Sequence, residues 1–506
     1  MRNLSGNGSA ARPDRWLYGL SSLGLMLILA YRMGAAVVDP DLWHQMAFFR
    51  EFVGNGAFPY ADPFAYTETI PLIHHEWGAG AVAYALTEWF GGAGILAARW
   101  LLTALLALFV VWGARRRGAA PATLFLLAPI SILLIDRGFS TLRAQLYSFV
   151  LVALLLLFLE YDKRGRRFWI PLWLLLYVAW VNLHAGFVLG IGIVWIWWIE
   201  QWGKGRPHRH WIAVGGLMIL LALVNPYGLA YVTYLGKALL MPRPRIMEWQ
   251  SLYESRLVLQ LAVLCLSALL AGYGAYVRGI SNADGLPLLV LLLLASWRSN
   301  RLLCFYAIAW TQLVPPWIQA SALGDAFVRA YADFRTFLLV FWSLTAAAFV
   351  LLLLPLQPWK LQVPGSPRPA WGPHAVYPVG PVDYLSAHHA EGCLLIPFDW
   401  GAYAMWKLYP RVKVSLDSRY ETVYPESVAE EQYRLFMGYP EWRALLPKYA
   451  RDFILAPVSM PLQRNLLEEP DWKVVYQDAL WTLFARKDLP LPVENHPDRT
   501  FDGRFP

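Results

Sequence analysis

The chain has little cysteine and little charge. Its three cysteines, Cys265, Cys304 and Cys393, are far apart in a chain of 506 residues and form no Cys-x-x-Cys pair. This spacing argues against a disulfide framework, a zinc ribbon and thiol redox chemistry. Charged residues make up only 15% of the chain, whereas hydrophobic residues make up 58%. Such a balance excludes an ordinary soluble domain.

Long apolar runs are abundant instead, and they predict a polytopic α-helical membrane protein. We predict about eleven transmembrane helices, the first of them uncleaved because no small-residue cleavage site follows its apolar run. The predicted spans are 16–38, 93–112, 119–135, 142–160, 168–183, 185–202, 211–225, 256–276, 286–297, 302–318 and 336–356. Many of the 26 tryptophans lie near the ends of these runs, as in the interfacial belts of membrane proteins.

Basic clusters predict the orientation. The clusters at 115–117, 163–167 and 204–209 alternate with loops that contain few such clusters, and the positive-inside rule places them in the cytoplasm. The net charge of +8 therefore reflects membrane topology, and nucleic-acid binding is not expected. Residues 39–92, 225–255 and everything after 357 are then predicted to lie outside.

The predicted domains are a transmembrane domain over 1–356, with a large outer loop at 39–92, and a soluble α/β domain over 357–489. Within the loop we expect an amphipathic helix on the membrane surface over 42–53, and a second helix over 71–89. Short apolar strands are predicted at 393–397, 412–416, 453–456, 473–476 and 480–485, with a helix near 400–409. Residues 490–506 are rich in proline and are predicted to form a flexible tail.

Two acids follow the first apolar run, in the sequence Val38-Asp-Pro-Asp-Leu-Trp-His44. A carboxylate at the membrane boundary is costly unless it has a task, and such a group can act as a general base. Asp39 and Asp41 are two residues apart around a proline, so we expect their side chains to point in different directions. The alternative for Asp41 is a purely structural role as the cap of a helix that starts at Leu42.

Histidines and a glutamate follow in the same loop. His74 and His75 are adjacent and would point apart on a helix, and no third ligand is evident, so a zinc site is disfavoured. We expect Glu76 and one histidine to orient the substrate or the Asp41 segment by hydrogen bonding. His44, which closes the acidic motif, is a further candidate for substrate binding.

Arginines near the outer ends of spans are candidates for binding phosphate. Arg298 and Arg301 are three residues apart and are predicted to share one helix face, and Arg137 and Arg143 flank another outer turn. The alternative is that these side chains only reach towards lipid headgroups.

Three further features have weaker signals. His184 lies at a span end, where a packing role is the alternative, and Glu248 lies in an outer loop that could cover the site. In the soluble domain Asp399 and the Asp417–Arg419 pair invite a catalytic interpretation, but a structural ion pair is favoured.

A series of short motifs carries a family resemblance. They are the acidic motif at 39–44, the segment 56–67, His75-Glu76-Trp77, the segments 182–186 and 225–228, Glu248-Trp249, and in the soluble part 399–403 and 416–419. Together and in this order they resemble bacterial integral-membrane glycosyltransferases of the GT-C class, related to the protein O-mannosyltransferase and aminoarabinose transferase group. The resemblance implies a polyprenyl-phosphate-linked sugar donor, and an active site at the periplasmic face of the inner membrane.

The resemblance also implies that an aspartate of the first outer loop is the catalytic base. Relatives often have Asp followed by Glu, whereas here Leu42 follows Asp41. The interval to Gly56 fits the relatives better from Asp41 than from Asp39, so we expect Asp41 to be the base and Asp39 the second candidate.

The expected reaction is an inverting transfer of a sugar to a hydroxyl of a glycan, lipid or protein acceptor of the cell envelope. No cofactor is required, although a divalent cation could bind at Asp39 and Asp41. The alternatives are a glycan ligase or polymerase that uses a lipid-linked oligosaccharide, a lipid or glycan transporter, and a non-catalytic assembly protein. A transporter would require ionisable groups within the spans, whereas the acids of this chain cluster in the outer loops.

Overall fold

The computed structural model describes residues 14–135, 142–241, 246–372 and 374–506. The described residues up to Leu356 are mainly helical. Over the described ranges the helices are α1 (Arg15–Met33), α2 (Pro40–Asn55), α3 (Trp77–Arg116), α4 (Pro121–Leu134), α5 (Ala144–Asp162), α6 (Trp169–Leu183), α7 (Phe187–Gly203), α8 (Arg209–Leu221), α9 (Leu229–Leu240), α10 (Val258–Arg278), α11 (Leu286–Arg298), α12 (Leu303–Gln319), α13 (Ala322–Asp333) and α14 (Arg335–Leu356).

Helices occur at all of the places where spans are predicted. Among the described residues, α1, α3, α5, α10 and α14 are long and apolar enough to cross a membrane, and α4, α6, α7, α8 and α11 are shorter apolar helices. Length and composition thus favour membrane association, while the number of eleven spans stays a prediction. Helix α12 lies inside the bundle, since nearly all of its residues are buried.

Helix α3 contains a sharp kink that divides it into the two helices predicted from the sequence. Gly91 has φ of 57° and ψ of −145°, a conformation that side chains with a Cβ rarely adopt. The part before Gly91 belongs to the first loop, and the part after it runs through the bundle. Helices α9 and α13 were not predicted, because each has only 12 residues and a search for apolar runs of spanning length passes over them.

The C-terminal domain is built on a sheet, as predicted. The strands of its described residues are β1 (Gly392–Leu395), β2 (Val412–Val414), β3 (Phe453–Pro457), β4 (Trp472–Asp478), β5 (Trp481–Arg486) and β6 (Glu494–His496), in the order β2-β1-β3-β5-β4-β6. Strands β1, β2 and β3 are parallel, and β4 and β5 form the predicted antiparallel hairpin. The helices are α15 (Val379–Ala387), α16 (Phe398–Leu408), α17 (Tyr420–Val423), α18 (Glu426–Phe436), α19 (Trp442–Tyr449) and α20 (Pro461–Leu466).

The prediction of a flexible tail over 490–506 is wrong. Residues 494–496 form β6, which pairs in parallel with β4. Further on, the Phe505 ring lies 5.3 Å from the ring of Trp43 in α2. The tail is held by the edge of the sheet and by an aromatic contact, neither of which its proline-rich composition reveals.

The first loop and the C-terminal domain are joined by backbone pairing. Ala65 forms a parallel bridge with Val414 of β2, and Val37 forms one with Gln362. Helix α2, expected on a membrane surface, is instead largely internal: its residues from Leu42 to Phe48 are all buried, and it packs between α3 and α16. The segment that carries the two acids is therefore fixed from both sides.

Candidate active site

Asp39 and Asp41 begin helix α2. Pro40 is the first helical residue, and Asp39 is the N-cap, whose Oδ1 accepts a hydrogen bond from the backbone N–H of Asp41 at 3.0 Å. Asp39 therefore caps α2. It lies one position before the proline, and N-cap residues are common at this position. The alternative in which Asp41 caps a helix starting at Leu42 is wrong, because the helix begins at Pro40, one residue before Asp41.

The two carboxylates meet at one guanidinium, contrary to the expectation that they diverge. Arg143, just before α5, places Nε 3.0 Å from Oδ2 of Asp39 and Nη2 3.4 Å from Oδ2 of Asp41. Its Nη1 lies 2.5 Å from Oε1 of Glu248. A guanidinium has five N–H donors, so Arg143 can bind both aspartates and Glu248 at once.

Glu248 joins this group to a second arginine. Its Oε2 lies 3.6 Å from Nη1 of Arg301, so the carboxylate stands between Arg143 and Arg301. The pKa of Glu248 is lowered to about 2, chiefly by Arg143, and the carboxylate is ionised at neutral pH. The carboxylate thus occupies the position between two arginines that suits an anion such as phosphate.

Glu76 forms a second acidic point next to α2. Its carboxylate accepts a hydrogen bond from Nε2 of Gln45 at 2.5 Å, and Nε2 of His75 and of His184 lie 3.6 and 3.5 Å from it. Gln45 is four residues after Asp41, on the same side of α2. The geometry agrees with the prediction that Glu76 orients the Asp41 segment by hydrogen bonding.

The hydrogen bonds of His184 define its tautomer. Its Nδ1 accepts the backbone N–H of Gly186 at 3.0 Å, so the proton of the neutral ring is on Nε2, which faces Glu76. Burial lowers the pKa of His184 to about 3. The side chain also contacts Ser148 at 2.7 Å, and it therefore combines the packing role with a place at the site.

These groups surround one small cleft, which we call the acidic cleft. It is narrow, with a volume of about 20 Å³ open to water. Its walls are formed by residues at the starts of α2 and α5, by the residues just before α3 and just after α6, and by the turn between α11 and α12. They are Asp39, Asp41, Leu42, Gln45, Glu76, Leu142, Arg143, Ala144, Gln145, His184 and Arg301. Six of the residues predicted from the sequence thus line it, and Glu248 adjoins it through the two arginines.

Other predicted site residues lie elsewhere. Arg298 and Arg301 do not share a helix face, because α11 ends at Arg298 and the extended Ser299 separates them. Arg298 is exposed and outside the cleft.

His44 is turned towards the C-terminal domain, where its Nδ1 lies 3.0 Å from the hydroxyl of Ser418. His75 lies behind Glu76 and contacts Tyr234 at 3.0 Å. Arg137 lies outside the described residues.

Gln45 and Gln145 were missed as site residues. Gln145 Nε2 lies 3.5 Å from the carbonyl oxygen of Arg301, and Gln45 holds Glu76. The signal for Gln45 is its spacing of four from Asp41 in a helix. Nothing in the sequence distinguishes Gln145 except its place two residues after Arg143.

The electrostatic balance of the acidic cleft is negative. Within the described residues around it, the carboxylates of Asp39, Asp41, Glu76 and Glu248 outnumber the guanidiniums of Arg143 and Arg301. Burial raises the pKa of Asp39 to about 6 even though Arg143 opposes this effect. The cleft can therefore take up a proton at Asp39 under mildly acidic conditions.

The C-terminal domain supports the first loop through a buried ion network. Arg419 Nη2 lies 2.6 Å from Oδ2 of Asp417, and its Nη1 lies 2.6 Å from Oδ2 of Asp62 in the loop. Tyr424 donates a hydrogen bond to Asp417 at 2.8 Å. The predicted structural ion pair between Asp417 and Arg419 is confirmed, and it also fixes the loop that leads from α2 to Glu76.

Over the described ranges, no group of three or more histidine, cysteine, aspartate or glutamate side chains is placed to hold a metal ion. A cation at Asp39 and Asp41 stays a prediction.

No family model matches the chain, and no curated protein matches it either.

Proposed function

We propose that the protein is a membrane-embedded glycosyltransferase that moves a sugar from a polyprenyl-phosphate-linked donor to an acceptor hydroxyl. One observation carries this proposal: acids, arginines and a histidine that are up to 262 positions apart, from Asp39 to Arg301, come together in a single cleft at one end of the apolar helices. A charged cleft at a membrane boundary is costly and is expected to have a chemical task.

The proposed base is Asp41. Its side chain is 36% exposed, whereas Asp39 is buried, caps α2 and pairs with Nε of Arg143. Asp41 can therefore reach an entering hydroxyl, and Asp39 holds Arg143 in place. In the proposed step the acceptor oxygen attacks the anomeric carbon, and the bond from that carbon to the phosphate oxygen breaks. The proton of the hydroxyl passes to Asp41, and polyprenyl phosphate leaves with the bonding electrons.

The phosphate would bind between Arg143 and Arg301, which replaces the pair Arg298 and Arg301 expected from the sequence. Two guanidiniums at this place can hold the phosphodiester of the donor and stabilise the charge that develops on the leaving phosphate monoester. One displacement on one face inverts the anomeric centre. A single base is sufficient for this reaction, whereas a retaining mechanism through a covalent intermediate requires a second carboxylate as nucleophile.

The location follows from the same proposal. The end of the bundle with the acidic cleft would face the periplasm of a bacterial inner membrane, and the C-terminal domain would lie on the same side. Nucleotide sugars are cytosolic, so a site on this side requires a lipid-linked donor. The acceptor would be a glycan, lipid or protein of the cell envelope.

The test is a transfer assay with the purified full-length protein and polyprenyl-phosphate sugars. We expect Asp41→Asn to abolish transfer while the protein still inserts into the membrane and keeps its melting temperature. The matched control is Asp333→Asn, which removes the same charge from an exposed position at the end of α13. Full transfer by the Asp41→Asn variant would refute the assigned base.

A further inference from the structure

A second cavity lies at the other end of the helices, away from the acidic cleft. We call it the basic cavity. It has a volume of about 90 Å³ open to water and lies where α3, α5 and α10 end. The cationic side chains in its wall are Arg116, Arg117, Lys163, Arg164 and Arg278, against the carboxylates of Glu160 and Asp284. The proposed transfer reaction makes no use of this end of the bundle.

Both carboxylates of the basic cavity are already shared among several cations. Glu160 lies within 3.7 Å of Arg117, 3.2 Å of Lys163 and 3.3 Å of Arg164. Asp284 lies 2.7 Å from Lys163, and it also binds Lys204 and Arg206 just outside the cavity wall. Burial would raise the pKa of Asp284, but its hydrogen bonds to the lysines and the arginine hold it well below the usual range. Neither acid has the capacity to neutralise the remaining arginines.

Two guanidiniums of the cavity have no carboxylate within ion-pair distance in the described part of the chain. Arg116 lies 5.1 Å above the ring of Tyr161. Arg278 donates only to carbonyl oxygens, those of Asn282 at 3.1 Å and Pro316 at 3.5 Å. Because a guanidinium has five N–H donors, Arg278 retains donors for a further acceptor.

Helix ends account for part of this positive charge, since cations are stabilised at the C-terminus of a helix. One of the terminal carbonyls is, however, already bonded by another arginine, since Arg164 donates to the carbonyl of Arg116. The positive charges of Arg116 and Arg278 therefore exceed what the described carboxylates and helix ends balance, and they can bind an additional anion.

We propose that the basic cavity binds the phosphate group of an anionic phospholipid. Arginines suit phosphate because their planar donors match its oxygens, and basic pockets between transmembrane helices are known to bind such headgroups. A lipid is favoured over free phosphate because a large exposed aromatic side chain lies beside the cavity. Trp112, one turn before Arg116, is 40% exposed, and its ring lies 6.4 Å from the ring of Tyr161, which Arg116 covers. Its side chain would contact the acyl chains next to the headgroup. The inference requires a membrane protein but is independent of glycosyl transfer.

The experiment uses the full-length protein in detergent with added lipid, followed by native mass spectrometry and by the melting temperature. Cardiolipin and phosphatidylglycerol are compared with phosphatidylcholine, and inorganic phosphate is tested separately. The test variant is Arg116→Gln combined with Arg278→Gln. The matched control is Arg166→Gln combined with Arg209→Gln, which removes two exposed charges at the same end of the bundle but outside the cavity wall.

We expect the wild type and the control to bind the anionic lipids at least tenfold more tightly than phosphatidylcholine, and the test variant to lose this preference. If the double variant does not fold, Arg278→Lys keeps the charge but not the planar donors, and a clear loss of affinity is again expected. Equal loss in the control would indicate non-specific surface charge and overturn the inference. Stabilisation by inorganic phosphate with no effect of the anionic lipids would also overturn it.

Discussion

Glu248 is the group whose removal tests the phosphate site most directly. Its carboxylate stands between Arg143, at 2.5 Å, and Arg301, at 3.6 Å. If these arginines bind the donor phosphate, Glu248 competes with it for the same donors and repels it. The variant Glu248→Gln keeps the size of the side chain and removes the charge. We therefore expect this variant to bind polyprenyl phosphate more tightly than the wild type.

The size of the effect follows from the geometry. Two unit charges about 5 Å apart interact by about 3 kcal/mol at an effective dielectric constant of about 20. The side chain of Glu248 is 35% exposed, so solvent screens part of this repulsion. We expect a gain of about 1.4 kcal/mol, which is a tenfold lower Kd.

The assay is a titration of the full-length protein in detergent with a polyprenyl monophosphate. The matched control is Glu254→Gln, which removes a charge from the same outer segment, where Glu254 is bonded to Ser251 and does not line the acidic cleft. A third variant, Arg301→Gln, should weaken binding. The reasoning would be refuted if Glu248→Gln weakened binding to the same degree as Arg301→Gln, because Glu248 would then position the arginines and not compete with the phosphate.

Three other perturbations probe the rest of the site. Because burial raises the pKa of Asp39 to about 6, its ionised form is lost as the pH falls through about 6, and the transfer rate should fall with it. In a profile of rate against pH, measured between about pH 5 and about pH 8, Asp39→Asn should remove this acid limb. A Cβ at Gly80 would lie 2.4 Å from the carbonyl oxygen of Gln45, so Gly80→Ala should push α2 away and reduce the transfer rate at least tenfold. The control is Gly216→Ala, whose added Cβ would have no atom within 4 Å and should leave the rate unchanged. Arg419→Gln leaves two buried carboxylates without their partner and should reduce the free energy of unfolding by about 3–5 kcal/mol, measured by denaturant titration of the full chain.

Much of the helical part could be predicted from the sequence because apolar runs, their lengths and the glycine at a kink are local signals. The same holds for the strands of the C-terminal domain, where short apolar segments alternate with turns. The site residues Asp41, Glu76 and Arg143 could be proposed because each is a charged side chain next to an apolar run, where it is costly without a task. Since consecutive spans reverse direction, such residues were expected to meet at one end of the bundle.

The partners of these residues could not be predicted. The spacing of Arg298 and Arg301 suggests one helix face, but α11 ends between them, and helix ends are uncertain by several residues in any reading of a sequence. Asp39 and Asp41 share Arg143 although they are about a hundred positions away from it in the chain. This is a long-range contact, for which composition and periodicity contain no signal. The ordered tail has the same origin, since it depends on the free edge of β4.

The balance of charge in the acidic cleft sets a condition on donor binding. Four carboxylates surround two guanidiniums, so an added phosphate would increase an excess of negative charge unless a carboxylate moves or takes up a proton. Displacement of Glu248, whose pKa is about 2, would add no pH dependence near neutrality to that of the phosphate monoester itself, whose second pKa is about 6. Protonation of Asp39, whose pKa is about 6, would give an affinity that increases as the pH falls towards 6. A difference in pH dependence between the wild type and Asp39→Asn therefore distinguishes the two, because the ionisation of the phosphate is the same for both proteins. Glu248→Gln should reduce that difference only if both groups respond to the same phosphate.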